Sequence, residues 1–200
     1  MQRRTLLAGG TVWASGLLGG CRPSRPRFHA TDLGESRISG ELPAEIRDFH
    51  GRPWNLADFR GKLVIFFFGY TSCPDICPTA LAKYAQLLQQ PGLGAERLQV
   101  VFVTLDPERD TPARLVDYLR WFDASFLGLH GSPAAIAAVA RQFRVTAIRQ
   151  EVGGGIGYSL DHSSGAYVFD RQGKLRLLVA DNAKMADIVA DLQQLLQENP

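Results

Sequence analysis

The stretch KLVIFFFGYTSCPDICPTALAKYAQLLQQPG, residues 62–92, predicts the centre of the fold. Its first part, residues 62–70, is apolar on both faces, as expected for a central strand that is buried on both sides. Its last part has leucine and tyrosine residues at helical spacing and stops at a Pro-Gly pair. The stretch therefore predicts a strand, a short loop that carries two cysteines, and a helix.

A second strand-helix unit follows along the chain. LQVVFVTLD, residues 98–106, is another buried strand, and DTPARLVDYLRWF, residues 110–122, is a helix. Thr111 is the expected N-cap of this helix, and Pro112 suits its first turn. Two strand-helix units in succession predict a right-handed crossover and parallel pairing of the two strands.

The rest of the chain completes an α/β fold. SPAAIAAVARQF (132–143) predicts a helix, GAYVFDRQGKLRLLVA (165–180) predicts a β-hairpin, and residues 183–197 predict a closing helix. This order predicts a thioredoxin-like fold, a central mixed sheet flanked by helices. The segment IRDFHGRPWNLADFRGK (46–62) predicts an added N-terminal β-hairpin.

The amino-terminal residues predict export and a membrane tether. Residues 1–20 have a basic start, an apolar middle and a small-residue end, as in a signal peptide. They end in LGGC, which resembles the lipoprotein cleavage motif in which the cysteine, here Cys21, is lipidated. We expect a Pro/Arg-rich linker over 21–30, a single domain over 31–200, and lipid anchoring on the periplasmic (extracytoplasmic) side of the cell membrane. An uncleaved membrane anchor is the alternative, and the Sec and twin-arginine export routes both stay open.

The charge balance excludes one class of partner. Lys and Arg number 22 and Asp and Glu number 20, and the surplus lies in the leader at Arg3 and Arg4. The exported part is therefore close to neutral, so we expect no nucleic-acid partner.

The cysteine pair is the strongest chemical signal. Cys73 and Cys77 lie where the first strand ends and the helix begins, with Pro78 expected as the first helical residue. Unpaired backbone N–H groups and the helix dipole favour a thiolate there. Two thiolates at this spacing can hold one soft metal ion such as Cu(I) or zinc. A structural disulfide is a rival, although so short a loop gains little entropic stability. A redox dithiol is another, although thioredoxins space their cysteines by two residues.

A third ligand is expected from His162, one of four histidines. It stands in YSLDHSSGAYVFD, just before the predicted hairpin and after GGGIG, which we interpret as a mobile loop. In a thioredoxin-like arrangement this region packs beside the cysteine loop. Asp161 and Asp75 are the nearest carboxylates in sequence and are candidates to orient the imidazole or balance charge. The other histidines, which are expected to be surface or cap residues, are His29, His50 and His130.

The segment DPERDTP, residues 106–112, is explained mostly by turn and capping chemistry. It lies at the carboxyl end of a strand, on the same edge as the cysteines, which also allows a role near the metal or in docking a partner.

Three segments in this order, FFFGYTSCPDICPTAL, VTLDPERDTP and YSLDHSSGAYVFDRQGKL, resemble the Sco/SenC family of copper-binding assembly factors for cytochrome c oxidase. The resemblance implies one copper ion, Cu(I) or Cu(II), bound through Cys73, Cys77 and His162. It also implies assistance in assembling the Cu(A) centre of oxidase subunit II, with a periplasmic copper donor and a thiol reductant as further partners.

The sequence supports a metallochaperone before an enzyme. The alternative is a thiol-disulfide oxidoreductase that uses Cys73 and Cys77 to reduce the Cu(A)-site cysteines of the oxidase subunit. A peroxidase of the same fold is a third reading, but it leaves the pairing with His162 unexplained.

Overall fold

The computed structural model describes residues 27–152 and 157–198. In that part of the chain, strands alternate with α-helices, and one short 3-10 helix spans Leu56–Phe59. The strands are β1 (Thr31–Asp32), β2 (Arg47–Asp48), β3 (Leu63–Gly69), β4 (Leu98–Thr104), β5 (Leu127–His130), β6 (Ala147–Val152), β7 (Gly157–His162), β8 (Ala166–Phe169) and β9 (Leu175–Val179). The helices are α1 (Ile76–Leu88), α2 (Pro112–Arg120), α3 (Pro133–Gln142) and α4 (Met185–Gln197).

Seven of these strands form one mixed sheet in the order β1-β9-β8-β3-β4-β5-β2. β3, β4 and β5 are parallel, whereas β8 runs antiparallel to β3 and β9 antiparallel to β8. The parallel pairing of the two central strands and the thioredoxin-like arrangement are thereby confirmed. The carboxyl ends of β3 and β4 and the amino end of β8 consequently meet at one edge of the sheet.

The sheet separates two apolar cores. Side chains of α1, α2 and α4 pack on one face, and α3 packs on the other together with residues 46–59. Every residue of β3 and β4 is buried, because helices cover both faces. This rigid pair of strands delivers the loops that follow them to the shared edge.

Two helix starts agree with the sequence in detail. The Thr111 hydroxyl accepts from the Arg114 amide at 3.3 Å, and Ser132 makes the equivalent bond to Ala135 at 3.2 Å. Each cap precedes a proline at the first helical position, where the missing N–H costs no hydrogen bond.

The start of α1 differs from the prediction. The helix begins at Ile76, with Asp75 as N-cap, so Pro78 is its third residue rather than its first. Proline is tolerated there because the N–H groups of the whole first turn lack intrahelical partners. As a result Cys77 lies inside the first turn of the helix, and Cys73 lies in the loop before it.

Several short strands were missed. β1 and β5 are short strands that carry no clear periodicity of their own. The residues on either side of the GGGIG stretch form a second, two-stranded sheet in which β6 pairs with β7, and the sequence did not predict these strands. The added N-terminal hairpin is present in short form: Arg47 bridges Pro53, and β2 pairs with β5.

Some predictions fall on residues that the structure does not describe. The leader 1–20, the lipidation site Cys21, most of the linker and most of GGGIG lie outside the described residues. Within residues 27–152 and 157–198, no helix is both long enough and apolar enough to cross a membrane.

Candidate metal centre

The candidate centre forms where three segments meet at the edge of the sheet. The cysteine loop follows β3, the DPERDTP segment follows β4, and the end of β7 leads into β8. Gly69 pairs with Thr104 and Phe67 pairs with Ala166, so the register of the sheet brings these ends side by side. The site is therefore a consequence of strand order.

Cys73 is poised as a thiolate. Its sulfur accepts from the Cys77 amide at 3.5 Å, at the amino end of α1. Hydrogen bonds from the Cys77 thiol, and then from the backbone of Cys77 and Asp75, outweigh partial burial and lower the pKa of Cys73 to about 5. Both cysteines are free in the structure. Because the thiolate is the form that acts as a nucleophile and binds metals, Cys73 is the more reactive cysteine of the pair.

Cys77 has the opposite character. Its side chain is fully buried, and the hydrogen bond that it makes with Cys73, together with burial, raises its pKa above that of an ordinary thiol. Gly69 makes room for it, because a Cβ at that position would lie 2.7 Å from the Cys77 sulfur. The strand thus ends in a residue without a side chain where the sulfur must fit.

His162 completes the group from the end of β7. Its Nε2 lies 3.6 Å from the Cys77 sulfur, and its Nδ1 lies 2.9 Å from the carbonyl oxygen of Ser163. When Nδ1–H donates to that carbonyl, the lone pair of Nε2 points at the sulfurs. The Tyr70 ring packs edge-on against the imidazole at 5.8 Å and limits its rotation.

The three ligand atoms suit one soft ion. The two sulfurs and one imidazole nitrogen all lie within 4.8 Å of one another, and no second group of this kind occurs in the described part of the chain. Metal–ligand bonds of about 2.0–2.3 Å put neighbouring ligands of a trigonal ion roughly 3.5–4 Å apart. Small adjustments would therefore close the site around an ion such as Cu(I), which prefers thiolate and imidazole ligands.

Asp110 holds the start of the cysteine loop through hydrogen bonds to Thr71. Its carboxylate accepts from the Thr71 amide at 3.1 Å, from the Thr71 hydroxyl at 2.6 Å and from the Thr104 hydroxyl at 2.6 Å. Burial raises its pKa, and these hydrogen bonds act in the opposite direction. Arg114 adds bonds to the hydroxyls of Thr71 and Ser72. The residues just before Cys73 are held to the loop that follows β4.

The remaining predicted residues lie apart from this group. His29 is near Asp187, His50 packs on Phe49, and His130 ends β5. The carboxylates expected beside the metal are exposed, and no hydrogen bond among the described residues joins Asp75 or Asp161 to His162. In this structure the Ser163 carbonyl is the group that contacts Nδ1.

Sequence reasoning missed most of the supporting residues. Asp106 and Asp110 stand in DPERDTP, a segment that turn and capping chemistry mostly explain at the level of sequence. In the structure Thr111 caps the helix. The Asp106 carboxylate instead pairs with Arg109, and the Asp110 carboxylate accepts from the Thr71 hydroxyl. The available signal was a segment with acidic residues that follows a buried strand, on the edge that carries the cysteines.

The chain is similar to proteins of one family over most of its length. A family model described as SCO1/SenC matches residues 41–197. A SCO2-like protein from Rickettsia felis is 36% identical over 155 residues, which cover 76% of this chain and 75% of that protein.

Two solved structures share the fold with copper bound. Bradyrhizobium japonicum ScoI superposes with a TM-score of 0.69 at 36% identity, covering 79% of this chain and 99% of that one. Yeast Sco1 superposes with a TM-score of 0.71 at 30% identity, covering 82% of this chain and 90% of that one.

Proposed function

Because the chain belongs to the SCO1/SenC family, we propose that it binds one copper ion and delivers it to the Cu(A) centre of cytochrome c oxidase subunit II. The ligands in this proposal are Cys73, Cys77 and His162. The observation that carries it is the convergence of their two sulfurs and one nitrogen to within 4.8 Å of one another.

The donor set suits a copper carrier. Two thiolates and one imidazole match the preferences of Cu(I), and the imidazole also suits Cu(II). Cys73 is only partly buried, so one side of the site faces solvent. An ion with three ligands and an accessible side exchanges ligands more readily than one in a closed, four-ligand structural site. Ligand exchange with a partner's cysteines is the transfer step that this arrangement favours.

Copper content after reconstitution tests the proposal. Cys73→Ser and His162→Ala should each lower the copper retained by the reduced protein, by tenfold or more in affinity, since each removes one ligand. His50→Ala is the matched control, because His50 lies away from the group and should bind copper as the wild type does. Copper binding at the wild-type level by both ligand variants would refute the assignment.

A second function is favoured by the asymmetry of the cysteines. A thiolate with a pKa of about 5 lies beside a buried thiol whose pKa is raised, as a nucleophile and a resolving cysteine require. Cys73 would attack a partner disulfide, forming a mixed disulfide and releasing one partner thiolate. Cys77, deprotonated, would then attack the Cys73 sulfur, closing a Cys73–Cys77 disulfide and releasing the second partner thiol. An external thiol reductant would return the two electrons.

The metal-free protein distinguishes the two functions. Reduction of an oxidised Cu(A)-domain disulfide that survives His162→Ala but is lost in Cys73→Ser would favour the oxidoreductase. Copper transfer to the reduced Cu(A) domain that depends on all three residues would favour the chaperone. The functions share one constraint, since copper binds the cysteines only while they are reduced.

We also propose that the domain is tethered to the outer face of the cell membrane through a lipid on Cys21. The support is the leader sequence and its LGGC ending. Cys21→Ser should move the protein from the membrane to the soluble fraction, whereas Cys73→Ser, a matched cysteine control, should leave it on the membrane. The copper donor and the thiol reductant would then be periplasmic.

A further inference from the structure

The hairpin that carries His162 is separate from the main sheet. β6 and β7 pair only with each other among the described strands, and all six residues of β6 are exposed. An isolated two-stranded ribbon has little stability of its own. The distance between the His162 nitrogen and the cysteine sulfurs therefore depends on what docks this ribbon.

The docking contacts converge on Tyr158 of β7. Arg109 Nη1 donates to the Tyr158 carbonyl at 2.9 Å, and the Tyr158 hydroxyl donates to Asp106 at 2.7 Å. The Arg109 guanidinium also lies 3.6 Å from the centre of the Tyr158 ring. Two residues along, the Leu160 amide donates to the Tyr70 hydroxyl at 3.2 Å.

Arg109 reaches both halves of the metal centre. It pairs with Asp106, whose side chain is 3% exposed, and it lies 5.7 Å from the ring of Tyr70, which begins the cysteine loop. The neighbouring Asp110 fixes Thr71 on the same loop. One short segment after β4 thus contacts the cysteine side through Asp110 and Tyr70 and the histidine side through Tyr158.

Stability is a weak explanation for this arginine. Its side chain is 22% exposed, and its Nη2 is buried without a hydrogen-bond partner in the described structure. A buried ion pair with an unsatisfied donor contributes little net stability, because desolvation offsets the attraction. The planar guanidinium is nevertheless well suited to stack on a ring and bond a carbonyl at once.

We propose that Arg109 is a positioning residue for copper binding: it holds Tyr158, and through β7 it places His162 Nε2 beside the cysteine sulfurs. Asp106 orients the guanidinium for this task. The inference rests on the proposed function, since it concerns the same ligands. Without Arg109, the protein should keep the two sulfurs in place and lose the nitrogen ligand.

The test compares Arg109→Lys with Arg149→Lys. Arg149 lies on the same Tyr158 ring, also at 3.6 Å, but it belongs to the hairpin itself. Its ion pair with Glu108 of the segment after β4, at 3.9 Å, joins two exposed side chains and contributes little to docking. For the copper-loaded protein, Cu(II) electron paramagnetic resonance reports bound imidazole nitrogen, and thiolate-to-copper absorption reports the sulfurs. Arg109→Lys should lose the nitrogen signature, keep the thiolate bands and bind Cu(I) roughly 10–100-fold more weakly. Arg149→Lys should match the wild type in the nitrogen signature, the thiolate bands and the Cu(I) affinity.

A milder variant covers the case in which Arg109→Lys folds poorly. Tyr158→Phe removes only the hydrogen bond to Asp106 and keeps the ring and the carbonyl. In metal-free protein it should shift the His162 ring resonances in NMR spectra and speed exchange of the Leu160 amide, with the resonances of β3 unchanged. Native-like His162 resonances in both Tyr158→Phe and Arg109→Lys would overturn the inference, as would a lower Tm with the nitrogen signature intact. Failure of the wild type to bind copper through His162 would instead refute the proposed function.

Discussion

At the scale of single residues, Gly69 decides where the second sulfur can lie. It ends β3, and an added Cβ would come within 2.7 Å of the Cys77 sulfur and 3.0 Å of the Phe102 ring. Contacts under 3.0 Å require something to move, and the sulfur is the metal ligand. The absence of a side chain at this position therefore matters for chemistry as well as packing.

Gly69→Ala should lower Cu(I) affinity by about tenfold or more, equivalent to roughly 1.4 kcal/mol. It should also destabilise the fold by about 1–3 kcal/mol through overpacking. Gly128→Ala is the matched control, because its Cβ would press on Phe49 and Leu119, away from the sulfurs. Competitive Cu(I) titration and thermal melts check both effects. Equal affinities in the two variants would contradict this role of Gly69.

The two cysteines should react at very different rates in the metal-free protein. Because the pKa of Cys73 is about 5, its thiolate fraction is nearly complete above pH 6, so its alkylation rate should be almost constant from pH 6 to 8. An ordinary thiol would instead speed up roughly tenfold per pH unit over most of this range. Cys77, fully buried, should react far more slowly. Iodoacetamide labelling with peptide mapping measures each rate separately, and faster labelling of Cys77 would contradict the assignment.

At the scale of elements, the sequence predicted the parts whose signal is local. β3 and β4 carry long apolar runs, and α2 and α3 begin at a capping residue followed by proline. Local sequence patterns could not identify β5, which is short, β6, whose residues are all exposed, or β7, whose residues are exposed or half-buried. Those strands exist because of tertiary pairing and docking, which leave no periodic pattern in the sequence.

The β6–β7 hairpin should open more easily than the main sheet. It has exposed residues along β6 and few links to the rest of the protein, whereas β3 is fully buried. Amide protection of β7 should therefore be at least about 100-fold lower than that of β3, because local opening needs less free energy than global unfolding. Hydrogen exchange followed by NMR measures both strands in one sample. Equal protection would mean that the hairpin is part of the core.

At the scale of the whole molecule, the candidate centre joins residues that are distant in sequence. Cys77 and His162 are 85 positions apart, yet the strand order β8-β3-β4 leaves the Cys77 sulfur 3.6 Å from the Nε2 atom of His162. The sequence could predict the three candidate ligands because cysteine spacing is local and the thioredoxin-like arrangement gives the proximity. It could not predict the support from Asp106, Arg109 and Asp110, since side-chain hydrogen bonds across loops depend on the finished fold.

X-ray absorption at the copper edge of the reduced, Cu(I)-loaded protein measures directly whether two sulfurs and one nitrogen hold the metal. We expect the copper ligands to be two sulfurs at about 2.2–2.3 Å and one nitrogen at about 2.0 Å, by analogy with other thiolate and imidazole sites. His162→Ala should remove the nitrogen and keep both sulfurs. A shell made of nitrogen or oxygen alone in the wild type, or a shell unchanged by His162→Ala, would contradict the claim that Cys73, Cys77 and His162 hold the metal.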